Sequence, residues 1–253
     1  RSAITFNAGS DIEINSSNSI NIANNHFNAG GSIFMTAAND INNTNYQIKA
    51  SDNVVMSAGN NINNISTAKS ATAATSNPTS IEAGNIVSLD AGNNINNIGA
   101  TIKGGDLVYL TAANNINNLA LVEYSINGQT TNRDQTITTG SLKRGNLTTT
   151  TISGYTTDEQ TGLTSNAITE TQALNSNANN IKSTLISQAN ITAGDSSTGT
   201  IGNVVLIAGN NLNNKASNIT STGDTYLEAT NGNINIETAA LRNRVVASGG
   251  SKK

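Results

Sequence analysis

Few residues of this 253-residue chain belong to the types that carry out catalysis. The only histidine is His26 and there is no cysteine, so a histidine–cysteine pair and a thiolate metal site lack their parts. Glycoside hydrolysis needs two carboxylates flanking one bond, but the carboxylates are spread along the chain: Asp11, Glu13, Asp40, Asp52, Glu82, Asp90 and Asp106. We expect no catalytic residue, no metal and no cofactor, and we interpret His26 as an inert, solvent-facing side chain.

One stretch of the chain collects residue types suited to contacting a partner. Within a threonine-rich segment lie Tyr124, Arg133, Lys143, Arg144 and Tyr155. Insertions on repeat proteins often lie on the binding side. Two interpretations stay open: a contact surface for a glycan or protein receptor, or a solvated hairpin that fixes the geometry of the repeats or covers a sheet edge.

The composition narrows the classes of partner. About one residue in six is asparagine, charged residues make up 11% and the formal net charge is −3. Such a chain has no broad basic face for nucleic acid or anionic lipid. No apolar run reaches the length of a membrane span.

The elements that would position any site come from an internal repeat. The octet AGNNINNI occurs at 58–65 and again at 91–98, with close copies at 37–44, 112–119 and 208–215. Ile41 and Ile62 are 21 residues apart, as are Ile95 and Ile116. Ile62 and Ile95 are 33 apart, and the surplus falls in a polar stretch that holds Pro78.

Before each octet, large, large and small apolar residues alternate with polar ones, which is the period of a half-buried β-strand. Val54, Met56 and Ala58 align with Val87, Leu89 and Ala91. The same alignment assigns to this strand the triplets Ile4–Phe6–Ala8 and Ala189–Ile191–Ala193.

Each period also has an upstream piece such as YQIKAS and a downstream piece, INNI. Three short strands in about 21 residues predict a stack of coils with three parallel sheets around one narrow core. The octet then has a structural interpretation: Asn and Gly tolerate left-handed backbone at the corners, and in-register Asn side chains hydrogen-bond as ladders. About nine coils would give a stack of roughly 43 Å at ~4.8 Å per coil.

Between Leu119 and about Asn190 the pattern fails. The stretch SINGQTT offers an Asn-Gly hairpin turn. We predict coils over 1–119, an inserted β-hairpin or meander over 120–188, coils over 189–240 and a tail or linker over 241–253.

The segment AGNNINNIGATIKGGDLVYLTAANNINNL at 91–119 resembles the haemagglutinin repeats of filamentous haemagglutinin-type exoproteins, the large partners of bacterial two-partner secretion. The resemblance covers most of 1–119 and returns over 189–236. It implies an all-β, right-handed parallel β-helix that forms a filament shaft, secretion through an outer-membrane transporter and display at the bacterial cell surface. The Asn-Pro-Asn motif of the secretion domain is absent, so we expect a piece from the interior of such a filament.

These features lead us to expect a monomeric shaft segment of a secreted adhesin that projects a distal domain and contacts other cells, without nucleic acid as a partner. The alternative is a receptor-binding segment of a contact-dependent growth-inhibition toxin filament. A third, weaker candidate is a polysaccharide-degrading enzyme on a β-helix.

Overall fold

The computed structural model describes residues 4–22, 25–67, 78–126, 129–130, 140–143, 146–148, 180–239, 241 and 243–245. Over these residues the chain is all-β, without a helix. It divides into two compact units. The coil unit comprises Arg1–Leu121 with Ile186–Ala239, and the insertion unit comprises Val122–Leu185 with Ala240–Lys253.

The coil unit is a parallel β-helix with seven coils in its described residues, each made of three short strands. The first three coils consist of β1 (Ile4–Ala8), β2 (Ile12–Ser16) and β3 (Ile20–Ile22); β4 (Asn25–Ala29), β5 (Ile33–Ala37) and β6 (Ile41–Thr44); and β7 (Gln47–Ala50), β8 (Val54–Ala58) and β9 (Ile62–Ile65). Coils 4 and 5 consist of β10 (Ser80–Ala83), β11 (Ile86–Ala91) and β12 (Ile95–Ile98); and β13 (Thr101–Gly104), β14 (Leu107–Ala112) and β15 (Ile116–Leu119).

The insertion then contributes β16 (Leu121–Ile126), β17 (Gln129–Thr130), β18 (Gly140–Lys143), β19 (Asn146–Thr148) and β20 (Asn180–Ser187). Coils 6 and 7 follow as β21 (Asn190–Ala193), β22 (Asn203–Ala208) and β23 (Leu212–Lys215); and β24 (Asn218–Ser221), β25 (Thr225–Ala229) and β26 (Ile234–Glu237). The last strand is β27 (Asn243–Val245).

Equivalent strands of successive coils pair in parallel and in coil order. The first strands form sheet A, the second strands sheet B and the third strands sheet C, with seven strands in each. Ile41 pairs with Ile62, Ile62 with Ile95 and Ile95 with Ile116, so the predicted register is confirmed across the longer spacing as well.

The core is a set of stacked rows of identical or similar side chains. Val54, Val87, Val108 and Val204 form one row at 0% exposure, and small alanines fill the row nearest the corner into sheet C. The predicted large–large–small alternation is therefore confirmed. This alternation arises because each strand has only one inward face, and the coils above and below must cover that face.

Two triplets of the sequence alignment are placed wrongly. Ile4–Phe6–Ala8 belongs to β1 and pairs with β4 in sheet A, while β2 is the strand of coil 1 in sheet B. Ile191 and Ala193 lie on β21, also in sheet A. Strands of sheets A and B both carry apolar residues at alternate positions that end in a small residue, so the pattern alone does not distinguish them.

The coil count also differs from the estimate of nine. Coils 3 and 4 are joined by a connection at 66–79, and coil 6 carries a loop between Ala193 and Asn203 in which Asp195 and Thr200 pair. These connections use residues that a fixed period of 21 assigns to further coils. Six steps of ~4.8 Å give about 29 Å between the first and last coil.

The insertion unit is antiparallel where its pairing is described. Ser125 pairs with Thr130 and Ile126 with Gln129, which confirms a hairpin at SINGQTT. β18 pairs with β19, and β20 pairs with β27. The predicted tail over 241–253 thus contributes a strand to the sheet of order β17-β16-β20-β27.

Candidate functional site: asparagine ladders and the outer sheet faces

The four asparagines of each octet occupy different environments. In coil 3, Asn60 and Asn61 form the corner between sheets B and C, whereas Asn63 and Asn64 lie on β9. Because side chains alternate along a strand, Asn63 points outward beside the inward-facing Ile62. Asn64 points inward and is 1% exposed. The alternation from Ile62 is the signal in the sequence that separates these two asparagines.

The outward positions form the outer ladder, which is unbroken through all seven coils. In coils 2 and 3, Nδ2 of Asn42 donates to Oδ1 of Asn21 at 2.8 Å, and Nδ2 of Asn63 donates to Oδ1 of Asn42 at 2.7 Å. Every rung donates toward the N-terminal coil. The ladder consists of Asn21, Asn42, Asn63, Asn96, Asn117, Asn213 and Asn235.

The inward positions form the inner ladder, which is buried and runs in the opposite direction. Nδ2 of Asn64 donates to Oδ1 of Asn97 at 2.8 Å, toward the C-terminal coil, and Nδ2 of Asn97 donates to Oδ1 of Asn118 at 2.8 Å. The ladder consists of Asn43, Asn64, Asn97, Asn118 and Asn214. Amide dipoles of neighbouring rows therefore oppose one another.

The inner ladder also holds the corner between sheets C and A. Nδ2 of Asn97 lies 3.0 Å from the carbonyl oxygen of Ala100 and 3.2 Å from that of Asn190. Asn64 makes the equivalent contact with the carbonyl oxygen of Thr101 at 3.0 Å. The backbone N–H of Asn190 also donates to the carbonyl of Ala100, at 2.9 Å, so the inner amide adds a second donor to that carbonyl where the chain turns from one sheet to the next.

A third row, the corner ladder, begins at a carboxylate. Asp40 is 7% exposed, and its Oδ1 accepts from the backbone N–H of Asn61 at 3.0 Å and from Nδ2 of Asn61 at 3.1 Å and of Asn60 at 2.9 Å. The row continues through Asn94, Asn115, Asn211 and Asn233. Every N–H donor of this row points toward the N-terminal coil. The row therefore directs the positive ends of its amide dipoles at the negative carboxylate of Asp40.

Left-handed backbone is not the reason for the octet. Positive φ follows directly after the third strand of coils 2, 4 and 6, at Asn45 (65°), Gly99 (55°) and Ala216 (48°). None of these positions is an octet asparagine. The predicted ladders are confirmed, whereas the predicted left-handed role of the octet asparagines is wrong, because the corner from sheet B to sheet C is made without positive φ.

The predicted contact cluster is only partly within the described residues. Tyr124 lies on β16 and Lys143 on β18, which are strands of two different sheets. Arg133, Arg144 and Tyr155 lie outside the described residues.

His26 differs from its predicted environment. It is half-buried on β4 rather than solvent-facing: its Nδ1 accepts from the backbone N–H of Gln47 at 3.4 Å, and its ring packs edge to face on Tyr46 with centroids 5.3 Å apart. Asp90 lies opposite Thr111, whose hydroxyl donates to it at 2.6 Å. Within the described residues, no three His, Cys, Asp or Glu side chains group as metal ligands would.

The outward face of sheet B carries a row that is mainly apolar and aromatic. Tyr109 and Tyr226 lie on it two coils apart, which is about 10 Å at the strand spacing, and a phenylalanine begins its apolar part. The row in coil order is Phe34, Val55, Ser88, Tyr109, Val205 and Tyr226. Flat side chains on a regular sheet suit contact with an extended partner.

Two surface groups of coils 6 and 7 have shifted acidities. The hydroxyl of Tyr226 donates to the Glu228 carboxylate at 2.7 Å, and this hydrogen bond to the negative carboxylate raises the pKa of Tyr226. The hydroxyl and backbone N–H of Ser197 both donate to Asp195, which lowers the pKa of that carboxyl. These three hydrogen bonds hold the exposed side chains of Tyr226 and Asp195 against neighbouring residues of the same coil.

Comparison of the chain with protein-family models, curated proteins and solved structures finds no match in any of the three. In the described part of the chain there is also no helix long and apolar enough to span a membrane.

Proposed function

We propose that this chain is a shaft segment of a secreted bacterial surface filament of the haemagglutinin type, an adhesin that projects a distal domain away from the cell and contacts other cells. One observation carries the proposal: the three parallel sheets and the outer ladder run without interruption through seven coils. The outer ladder keeps N–O distances of 2.7–2.8 Å from coil 1 to coil 7.

The mechanism is mechanical. Successive coils are joined through sheets A, B and C, so the coils part only when the hydrogen bonds of three sheets and of the amide ladders break together. The buried rows add a continuous apolar core along the same axis. Such a unit resists stretching and offers few sites where a protease can open a strand.

The chemistry of the chain also suits export through an outer-membrane transporter. It has no cysteine and a low charge, so nothing covalent has to form outside the cell. Folding coil upon coil would then provide each arriving segment with a template, which supports display at the bacterial surface as part of the proposal.

A second function is favoured by a different observation. The insertion forms its own compact unit with antiparallel pairing, unlike the parallel coils. A receptor-binding segment of a contact-dependent toxin filament would place its contact surface there, among residues such as Tyr124 and Lys143. A β-helix enzyme acting on polysaccharides remains the weaker third candidate.

Cell binding separates these functions. The whole chain is compared with a version in which 122–177 is replaced by a short turn and which circular dichroism shows to be β-rich. For a shaft segment we expect neither form to bind bacterial or epithelial cells. Binding lost with the insertion would favour the receptor-binding segment, and binding by both forms would place recognition on the coils and contradict a purely mechanical role. Release of reducing ends from a polysaccharide panel would establish the enzyme instead.

A further inference from the structure

The outward face of sheet B differs from that of sheet A. In coils 2 to 6, more than half of the outward strand positions of sheet B are apolar or aromatic. In sheet A, the outward strand positions of the same coils all carry polar or charged side chains. We call the set on sheet B the outer band, and its members are Phe34, Val55, Ile86, Leu107, Tyr109, Val205 and Ile207.

The outer band extends over five successive coils in the interior of the stack. Phe34 lies beside Val55, and Tyr109 beside Val205, as register partners on adjacent strands. Phe34 is 40% exposed and the other members are half-buried. Every strand that carries the band has a neighbouring strand on both sides, so the exposure of the band does not come from an end of the stack.

Carboxylates border the outer band on two sides. Asp52 and Asp106 are exposed at the corner where the chain passes from sheet A to sheet B. Asn85 occupies the same corner position on the coil between them, because its backbone joins both by hydrogen bonds. The two aspartates are therefore two coils apart, about 10 Å at the strand spacing. Asp90 is exposed near the other end of β11, toward sheet C.

No cation balances these carboxylates on the same face. The described lysines of the coil unit are Lys49, Lys103 and Lys215, which lie on strands of sheets A and C. Among the described residues of coils 2 to 6, the outer face of sheet B and its corner with sheet A thus carry negative charge only. The face combines an apolar surface with a single sign of charge.

This charge decides which class of partner fits the face. A second copy that packed its own outer band on this one would bring carboxylates of both chains together without a compensating cation, which opposes association. Nucleic acids and other anionic polymers are repelled for the same reason. Charge complementarity favours a cationic partner, and the apolar band requires that this partner also has apolar surface to bury.

Arginine is the residue that meets both requirements. Its planar guanidinium group stacks on aromatic rings such as those of Phe34 and Tyr109, and it pairs with carboxylates through parallel hydrogen bonds. Its aliphatic stem covers apolar surface while the charged group reaches the edge of the band. Coils 2 to 6 span four steps, about 19 Å, which is the length of about six residues of an extended chain.

We propose that the outer band, together with Asp52, Asp90 and Asp106, is a binding surface for an extended, arginine-rich segment of another polypeptide. Alternate residues of such a segment point to one side, so every second arginine side chain can face the band. The inference goes beyond the proposed function, since it concerns a polypeptide ligand of the coils and holds whether or not the chain belongs to an adhesin.

Fluorescence anisotropy of a labelled octapeptide of alternating arginine and serine, titrated with the 253-residue chain, tests the proposal. We expect saturable binding that weakens as salt is added, because the carboxylates are exposed. The same peptide with lysine in place of arginine should bind more weakly, since an ammonium group has no planar face to stack on an aromatic ring. The peptide with glutamate in place of arginine should not bind.

Paired variants locate the site. Asp52→Asn combined with Asp106→Asn should raise the Kd of the arginine peptide about tenfold, since each exposed ion pair contributes modestly. The control, Glu82→Gln combined with Glu237→Gln, removes the same two charges from strands of sheets A and C and should leave the Kd unchanged. Circular dichroism confirms that each variant is folded.

A second pair of substitutions tests the aromatic contribution. Phe34→Thr combined with Tyr109→Thr keeps β-branched side chains on the strands and should raise the Kd of the arginine peptide about fivefold. The lysine peptide should lose less affinity in this variant.

Three results would overturn the proposal. The first is an arginine peptide that does not bind, including the case in which a neutral oligosaccharide binds instead. The second is an equal loss of affinity in the Asp52/Asp106 variant and in its charge-matched control, which would mean attraction to the net charge of the chain. The third is an unchanged Kd in the folded Phe34/Tyr109 variant.

Discussion

The outer and inner ladders are made of the same residue type, lie on the same strands and occupy adjacent positions. They nevertheless differ in burial and in hydrogen-bond partners. The outer ladder is half-buried from Asn63 to Asn235, and the amides there hydrogen-bond to their equivalents on neighbouring coils. The inner ladder is buried, and each amide also donates to one or two backbone carbonyls at the corner from sheet C into sheet A. Asparagine therefore makes two kinds of interaction in the repeat: one links successive coils along the stack, and the other also fixes the corner between sheets C and A.

Introducing a negative charge should give the largest difference in stability between the two ladders. Asn97→Asp replaces Nδ2 with an oxygen that faces the carbonyls of Ala100 and Asn190 and Oδ1 of Asn118, in a site 1% exposed. We expect a loss of about 4 kcal/mol in the free energy of unfolding, since one oxygen of the buried carboxylate keeps the donor Asn64 while the other faces only acceptors. Asn96→Asp, beside it on the outer ladder, should lose about 1 kcal/mol. Urea denaturation measures both, and equal losses would mean that burial does not separate the ladders.

Truncation tests the same difference without a charge. Asn97→Ala removes one donor from two backbone carbonyls and one partner from each of two neighbouring amides at a buried position, and should lower the free energy of unfolding by about 3 kcal/mol. Asn96→Ala removes one donor and one acceptor at a half-buried position, where water replaces them, and should lower it by about 0.5 kcal/mol. Differential scanning calorimetry of the pair checks the order, and a larger loss for Asn96→Ala would contradict the assignment of the two ladders.

Substitutions in the corner ladder should give stability losses between those of the inner and outer ladders. Asp40→Ala removes the acceptor of three donors at a site 7% exposed, and we expect a loss of about 2 kcal/mol. Asp40→Asn keeps an oxygen acceptor and extends the row of amides, so it should lose less than about 1 kcal/mol. If Asp40→Asn destabilises the chain as much as Asp40→Ala, the carboxylate charge rather than the hydrogen bonds holds the end of this row.

We expect the smallest effect on stability from a substitution that extends the inner ladder by one amide. Ile236 is the register partner of Asn214 on the next coil. Ile236→Asn therefore places an amide beside Asn214, whose Nδ2 can then donate along the ladder as the inner rungs do. Little apolar burial is lost because Ile236 is 67% exposed. We expect the free energy of unfolding to rise by about 0.5 kcal/mol, because one hydrogen bond is added. Chemical denaturation measures this gain. A destabilised variant would show that Ile236 already packs against coil 6.

Much of the coil unit could be predicted from the sequence because its physics is repetitive. The spacing of Ile41, Ile62, Ile95 and Ile116 fixes which residues lie above one another, and the alternation around Val54 and Met56 fixes which face turns inward. The register of sheet C and the presence of ladders follow from these two facts.

The errors arise where several solutions satisfy the same pattern. Phe6 and Ala8 fit a strand of sheet A as well as one of sheet B, since both sheets need an apolar inner face ending in a small residue. The alternation from Ile62 indicates that Asn64 rather than Asn63 turns inward, but the carbonyl that Asn64 contacts across the corner is a tertiary relation. The insertion has no repeat to align, so only its Asn-Gly turn was predicted at the level of residue pairs.

The inner ladder also bears on how such a chain ages. Asparagine deamidates when the backbone nitrogen of the following residue attacks the side-chain carbonyl carbon, which requires the side chain to swing over its own backbone. In the inner ladder the amide is held at both of its polar atoms by neighbours, as in Asn97 between Asn64 and Asn118. We expect these asparagines to keep their amides far longer than exposed ones, and mass spectrometry after prolonged incubation would locate the difference. The rows that hold the coils together thus also slow their chemical decay, and the lifetime of the molecule is set by its arrangement rather than by its composition.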